Sequence, residues 1–425
     1  MLLVSAVFAS PAFPVARCQE ASQSAAEMVA AENWNQWRGP FRNGQFNGRK
    51  WPATLSEDVV REVWKKDLSP SYSGPVVCGD AIFTTETIDG KNEAIIAFNR
   101  ETGEQLWRVE WPGALTVPFF AASNGSWIRS TPACDGTYLY VGGMRDVLVC
   151  LEARTGKEIW RIDFPQLLQA PLPAFGFVSS PLPDGDSLYV QAGASFVRIR
   201  KSDGEIIWRT LQDSGGMMGS AFSSPVIAEI GGLRQLIVQT RTKLAGISLD
   251  DGSVLWDQDV PSFRGMNILT PSVYGDAIFT SSYQNQSWLF SCQRSQDAFE
   301  VSEAWSNNAQ GYMSTPVIID DHAYLHLQNE RITCIDLRNG ERKWTSQPVG
   351  KYMSMIANGD RILGLNQNGT LMLIRANPEK YELLGEFSSG QEETWAHLAL
   401  DEGRVLIRGL NSLAVYEWRD ENVQP

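Results

Sequence analysis

Three histidines (His322, His326, His397) and six cysteines (Cys18, Cys78, Cys134, Cys150, Cys292, Cys334) are the residues with the most obvious capacity for metal or redox chemistry. His322 and His326 stand four apart, a chelating interval on a helix. Their surroundings alternate as a strand does, so at about 3.3 Å per residue the two rings would lie ~13 Å apart, too far to share one ion. The cysteines form no CxxC, no CxxCH haem attachment and no adjacent pair, and nothing in their spacing demands a disulfide. The Asp-rich stretches 183–186 and 250–252 could invite calcium, yet they lack EF-hand spacing and read as tight turns. GxSxG, HExxH and Walker patterns are absent, which removes the familiar routes to nucleophilic, zinc and phosphate chemistry. Thr131, Ser180, Ser224, Thr270 and Thr315 precede prolines in a recurring context and need no catalytic role. The expectation is no catalytic residue and no metal site.

The elements that would position any site are written in one repeated unit of eleven residues: AFNRETGEQLW (97–107), CLEARTGKEIW (150–160), RIRKSDGEIIW (198–208), GISLDDGSVLW (246–256) and CIDLRNGERKW (334–344). Glycine holds the seventh place (Gly103, Gly156, Gly204, Gly252, Gly340) and tryptophan the eleventh (Trp107, Trp160, Trp208, Trp256, Trp344). A turn glycine and a large aromatic at fixed spacing mark one supersecondary element copied around an array. Cys150 and Cys334 occupy the unit's first place, where Ala97 and Gly246 also occur, and read as small buried residues. Around each unit the same grammar returns: an opening such as STP (130–132) or SSP (179–181), a first turn such as CDG (134–136), then alternating strands. That is the content of one four-stranded propeller blade. Trp305 and Phe387 close two further copies. The last copy, from about 395 to 418, has three strands only. Val60–Asp67, with Trp64 in the closing position, has the pattern of an outermost strand without the three before it. Pairing it with the last copy closes the ring and removes two exposed sheet edges. The chain is therefore predicted to be all-β: an eight-bladed propeller of four-stranded antiparallel blades, closed by an N-terminal strand. Seven blades is the competing count.

The eleven-residue unit resembles the tryptophan-docking motif of pyrroloquinoline-quinone (PQQ)-type propellers, a family that spans quinoprotein alcohol dehydrogenases and BamB-like assembly factors. The resemblance covers about 56–419. The segment NWNQWRGPFRNG (33–44) is similar to one preceding such propellers in secreted bacterial proteins. The unit at 295–305 lacks the glycine, and 375–387 lacks both the Gly–Trp spacing and the tryptophan. The resemblance implies that each motif tryptophan packs on the neighbouring blade. It also implies two functions: a protein-assembly platform without cofactor, or an oxidoreductase holding PQQ and calcium at the hub to act on alcohols or sugars. The adjacent cysteines that commonly lie over the quinone in the alcohol dehydrogenases are missing here, which favours the platform.

Composition bounds the partners. A formal net charge of −13 with no Lys/Arg run opposes nucleic acid. No stretch after the N-terminus approaches the ~20 apolar residues of a membrane helix. Residues 1–20 resemble a secretory signal without its basic start, so export to the periplasm or beyond is expected; Arg17 before Cys18 argues against lipid attachment. The remaining organisation reads as an extension over 21–55, the propeller over 56–419 and a tail over 420–425. The linkers between blades share one face and are rich in soft apolar residues: Trp127, Phe177, Met217, Met218, Phe222, Met266, Tyr312, Met313, Tyr352, Met353 and Trp395, with Phe119, Phe120, Phe175 and Phe263 nearby and Met144 in a middle-strand loop. Methionine and aromatics there suit contact with a protein or small-molecule ligand, or they fold inward and fill the hub. Arg129, Arg264 and Lys351 interleave with them and could meet a carboxylate-bearing ligand, though each alone reads as a solvated loop charge.

Overall fold

At the glycine of each unit the backbone turns into the left-handed region, with φ of 67° at Gly103, 73° at Gly156 and 78° at Gly204, which side chains reach only at a steric cost. The turn sends the chain into the outermost strand of its blade. The computed structural model describes residues 34–213, 219, 221–296 and 298–419. The signal-like segment 1–20 and the tail 420–425 lie outside them. Eight four-stranded antiparallel sheets follow one another in chain order, blade one spanning 76–112, two 133–163, three 182–210, four 226–259, five 272–307, six 317–345 and seven 354–388. Blade eight takes three strands from 399–418 and its fourth from Val60–Asp67, which runs antiparallel to Ser412–Trp418 with Trp64 opposite Val415. The predicted closure and count are both present.

The glycine has a second job. A Cβ on Gly156 would stand 2.7 Å from the ring of Trp107, the closing residue of the preceding blade, and Trp64, Trp160, Trp208 and Trp305 lie against Gly103, Gly204, Gly252 and Gly340 in the same way. The indole N–H groups of Trp107, Trp160 and Trp305 then donate to carbonyls of the next blade, Ala153, Lys201 and Leu337. Where the next blade has no such glycine the contact changes. Trp256 donates within its own blade to Gln235 Oε1 at 2.7 Å, Trp344 donates to Asn377 O and meets Tyr381 edge to face at 5.7 Å, and Phe387 meets Tyr416 at 5.4 Å.

At the hub, the hydroxyls before the prolines form an inter-blade belt. Gly74 N donates to Thr131 Oγ1, Ser180 N to Ser224 Oγ, Ser224 N to Thr270 Oγ1 and Thr270 N to Thr315 Oγ1, at 2.9–3.1 Å. Backbone groups that would otherwise be buried unpaired are thereby satisfied. Blades one and two are also joined by a Cys78–Cys134 disulfide, 56 residues apart in sequence, which the spacing had left open. Cys150 and Cys334 are buried free thiols, as their place in the unit suggested.

Buried carboxyls couple the first three blades. Glu93 of blade one accepts from Met144 N at 2.8 Å and Trp111 Nε1 at 3.2 Å, and Asp146 in that same hairpin of blade two accepts from Gly193 N of blade three at 2.8 Å. Burial dominates both, lifting Glu93 to about 8 and Asp146 to about 7; the Arg161 charge only partly offsets it for Glu93, and Asp163 adds to it for Asp146. A folded-state pKa above the unfolded value of about 4 stabilises the fold fully at low pH and loses that stabilisation as pH rises toward the folded value. Denaturation across pH 4–8 should therefore show stability falling with pH from these groups, and Glu93→Gln should flatten the slope; an unchanged slope refutes the coupling. Separately, Cys78→Ser or Cys134→Ser should cost up to about 4 kcal/mol in chemical denaturation, the chain-entropy value for a loop of this length.

Candidate functional site

Residues 34–46 enter the hub from the side opposite the loop face and stop it. Trp34 O accepts from Val77 N of blade one at 2.9 Å, Asn35 O from Cys134 N of blade two at 2.8 Å, and Ala357 N of blade seven donates to Gly44 O while Phe46 N donates to Ala357 O. Two arginines reach outward across the stopper. Arg38 donates to Thr315 O and Pro316 O at 2.7 and 2.6 Å, entering blade six. Arg42 donates to Pro181 O and Ser180 O at 2.7 and 2.9 Å, entering blade three. They are 1 % and 3 % exposed, and no carboxylate pairs with either among the described residues; carbonyl dipoles and the Trp37 ring, 5.5 and 5.9 Å from the two guanidinium carbons, surround the charges. Burial pulls both pKa values down from the usual arginine range.

Trp37, at the tip of the stopper, floors a cavity of about 350 Å³ that opens on the loop face. The belt residues Thr131, Ser180, Ser224 and Thr315 form its lower wall, and linker aromatics form the upper wall. The rings make a continuous arc: Tyr283–Tyr312 at 5.2 Å, Tyr312–Tyr352 at 5.5 Å, Tyr352–Trp395 at 4.0 Å and Trp395–Tyr72 at 4.6 Å. Across from it Phe175 meets Phe120 at 6.4 Å and Phe222 at 5.5 Å. Beside Trp37 stands His397, 5.7 Å away edge to face. Its Nδ1 donates to Leu398 O at 2.9 Å while Nε2 is buried without a partner. Burial, with the Arg38 charge, depresses its pKa to about 3, so the ring is neutral.

The expected site residues divide in this frame. Arg129, Phe222, Met266, Tyr312, Met313, Tyr352 and Trp395 line the cavity. Met353 does too, but is 1 % exposed and belongs to the core beneath blade seven. Phe177 is 2 % exposed, packed between blades two and three against Gly142, and Met144 is fully buried; neither is offered to a partner. Trp127 is half-buried beside Tyr72. Met217 and Met218 lie outside the described residues. Arg129 is no solvated loop charge: its Nε and Nη2 donate to Trp127 O and Gly125 O at 3.2 and 3.0 Å, and desolvation lowers its pKa to about 10. Lys351 does remain exposed, 3.7 Å from Glu330. Sequence reasoning missed Trp37, Tyr72, Tyr283 and His397. The WNQWRGP signature was a signal for the first, since a tryptophan and two arginines in a short polar segment need partners; Tyr72 directly precedes an SGP opening.

Among the described residues no carboxylate lines the cavity, and no group of three or more His, Cys, Asp or Glu could hold a metal ion. A calcium-bound quinone at the hub needs anionic oxygen ligands for its ion. The donor set here does not fit that group, and no redox step is derived through it.

Fold and site together define an eight-bladed PQQ-repeat propeller whose hub is stopped on one side and open as an apolar funnel on the other. The family model described as "Outer membrane protein assembly factor BamB" matches residues 91–346, and the chain belongs to that family. It is 24 % identical over 263 residues to the outer membrane protein assembly factor BamB of Yersinia pestis, covering 58 % of this chain and 63 % of that protein. It is 28 % identical over 200 residues to the polyvinylalcohol dehydrogenase of a Sphingopyxis strain, covering 43 % of this chain and 29 % of that enzyme. The chain thus matches less than two thirds of the length of each. Among solved structures, BamB from Moraxella catarrhalis superposes with a TM-score of 0.61 at 12 % identity, covering 86 % of this chain and 99 % of that one. A europium-containing methanol dehydrogenase gives 0.52 at 9 %, covering 92 % and 100 %. These two likenesses are of fold.

If the stopper holds the hub, removing either arginine fork leaves buried carbonyls unpaired. Arg38→Leu and Arg42→Leu should each lower stability by about 2–4 kcal/mol in denaturant titration and expose the 34–46 segment to proteolysis. Wild-type protease resistance in both variants overturns the stopper's role.

Proposed function

We propose that this protein is exported and works as a protein-binding scaffold of the cell envelope, recognising its partner through the loop face. The carrying observation is the apolar crown around the funnel mouth: Phe119 is 91 % exposed, Phe120 47 %, Phe263 44 % and Met313 36 %. Contiguous exposed aromatics of this kind mark interaction sites, and rings supply contact area at low entropic cost. The crown stands on a ring closed at rim, hub and stopper, so little order has to be imposed on binding. The relatives described as outer membrane protein assembly factors support a protein as the partner, and the disulfide supports an oxidising compartment. Among the described residues no helix is long and apolar enough to cross a membrane. The alternative of a PQQ- and calcium-dependent oxidoreductase draws on the dehydrogenase likeness and is opposed by the carboxylate-free hub.

A photo-crosslinking residue at 119 or 313 should give adducts with a partner protein in living cells, and one at 106 should give none; Leu106 is 51 % exposed but sits on the outermost strand of blade one. Phe119→Asp should cut capture from position 313 at least tenfold. Equal adducts from 106, or none from the crown, defeat the scaffold reading. Retention of PQQ with calcium through gel filtration would replace it with the oxidoreductase.

A further inference from the structure

We infer that the hub funnel is a receptor for a small organic monoanion, a single carboxylate carried on a flat apolar body of one or two fused rings. This goes beyond the scaffold reading, because it concerns the interior of the funnel and not the crown. The first support is the state of Arg129. Several arginines hold carboxylates, among them Arg100 with Asp401, Arg241 with Asp213 and Arg338 with Asp336, and Arg38 and Arg42, which do not, spend their nitrogens on carbonyls of the blades. Arg129 has no ion pair among the described residues; two of its nitrogens are bound to carbonyls, and Nη1 carries no hydrogen bond. Arg129 is half-buried, and a carboxylate entering the cavity both neutralises its guanidinium and finds a rigid donor fork.

The lining then sets the sign and the shape of the ligand. With no acidic residue in the wall, a cation finds no counter-charge. Polyols fare little better, because sugar hydroxyls look for carboxylate or free hydroxyl acceptors. Of the lower-wall hydroxyls, those of Thr131, Ser224 and Thr315 are each already engaged by a backbone N–H of the belt. What the wall does offer is ring surface. The arc from Tyr283 to Tyr72 ends where the Arg129 guanidinium carbon stands 5.9 Å from the Tyr72 centroid, so a flat body stacked on the arc brings its carboxylate to Nη1. Trp37 closes the bottom, and the cavity of about 350 Å³ lies in the usual range for small-ligand sites. One half-buried guanidinium matches one negative charge; Arg264, the other cation of the lining, is exposed at the mouth over Phe263.

The probes are 2-naphthoate, 2-naphthylmethanol and 2-naphthylmethylammonium, titrated into the purified full-length protein by calorimetry and by tryptophan fluorescence, which reports on Trp37 and Trp395. Naphthoate should bind at least tenfold more tightly than the alcohol, and the ammonium should not bind. Arg129→Gln should erase the difference between naphthoate and alcohol while leaving alcohol affinity within about threefold. Phe222→Asp, which sets a carboxylate in the wall, should abolish naphthoate binding and serves where Arg129→Gln fails to fold by circular dichroism. Equal affinity for acid and alcohol, no binding of either, or glucuronate binding as tightly as naphthoate overturns the inference. PQQ binding more tightly than naphthoate with a gain from calcium overturns it as well. The crown crosslinks are read in separate experiments and stand or fall independently.

Discussion

Eight blades leave a hole that their own innermost strands cannot fill, and the width of that hole governs the rest of the molecule. Every blade begins by turning backbone N–H and C=O groups toward the axis, where water is scarce and an unpaired group costs free energy. Hydroxyls from neighbouring blades take the N–H groups of Gly74, Ser180, Ser224 and Thr270. A hydroxyl of the repeat can serve a carbonyl, as Ser130 Oγ donates to Ser179 O at 3.0 Å, but among the described residues none serves the carbonyls of Ser180, Pro181, Thr315 and Pro316 within the repeat. The donors come from outside it, as the forks of Arg38 and Arg42 reaching blades six and three. A charged donor with several N–H groups suits several carbonyls at once, whereas lysine would present a single point of charge.

Rim and hub solve the same problem by different means. At the rim, the indole of one blade rests on the glycine of the next, a contact any side chain at Gly156 would block at 2.7 Å. The contact recurs at five of the eight blade junctions. At the hub the demand varies from blade to blade, because the stopper reaches blades one, two, three, six and seven by separate contacts. Copied residues serve the rim and the hydroxyl belt; unique residues stop the hub. That division explains why the funnel wall differs around its circumference, with a half-buried guanidinium where the Tyr283–Tyr72 arc ends: its lining comes from linkers that the repeat leaves free to differ.

The same division decides what was legible in the amino-acid sequence. Blade count, the glycine turns and the closing role of Val60–Asp67 depend on local period and on one missing strand, so they could be read directly and hold in the structure. The loop face was legible as a set of soft apolar residues, but not the fate of each. Phe177 and Met144 look like Phe120 and Met313 in sequence, and only the packing of blade two against its neighbours buries them, Phe177 toward blade three and Met144 toward blade one. Arg129 read as a surface charge because nothing local reveals that Gly125 and Trp127 fold their carbonyls over it. Arg38 and its acceptor Thr315 lie 277 residues apart, and Cys78 and Cys134 become neighbours only once two blades are placed side by side. Ring geometry supplies those pairings, and periodicity carries no trace of them.

Charge distribution links the two readings of the loop face. The chain carries a formal net charge of −13, yet the cavity and its stopper hold Arg38, Arg42 and Arg129 and no carboxylate lines the wall. Many acidic groups lie on turns and outer strands, as in the pairs Arg200–Asp203 and Lys243–Asp257, while the buried Glu93 and Asp146 are spent between blades and not on the cavity. Outside, that field repels polyanions and weakens with distance over about 10 Å of screened solution. Inside, fixed positive charge in a water-poor space acts with less screening. A multiply charged solute meets the repulsion in full before it reaches the hub, while a monoanion with an apolar body meets little of it and gains both burial and a counter-ion. The segregation of charge therefore discriminates by valence as well as by sign. Tethering the basic residues to the stopper and the first linkers, away from the copied outer strands, is what lets an acidic propeller keep a basic centre.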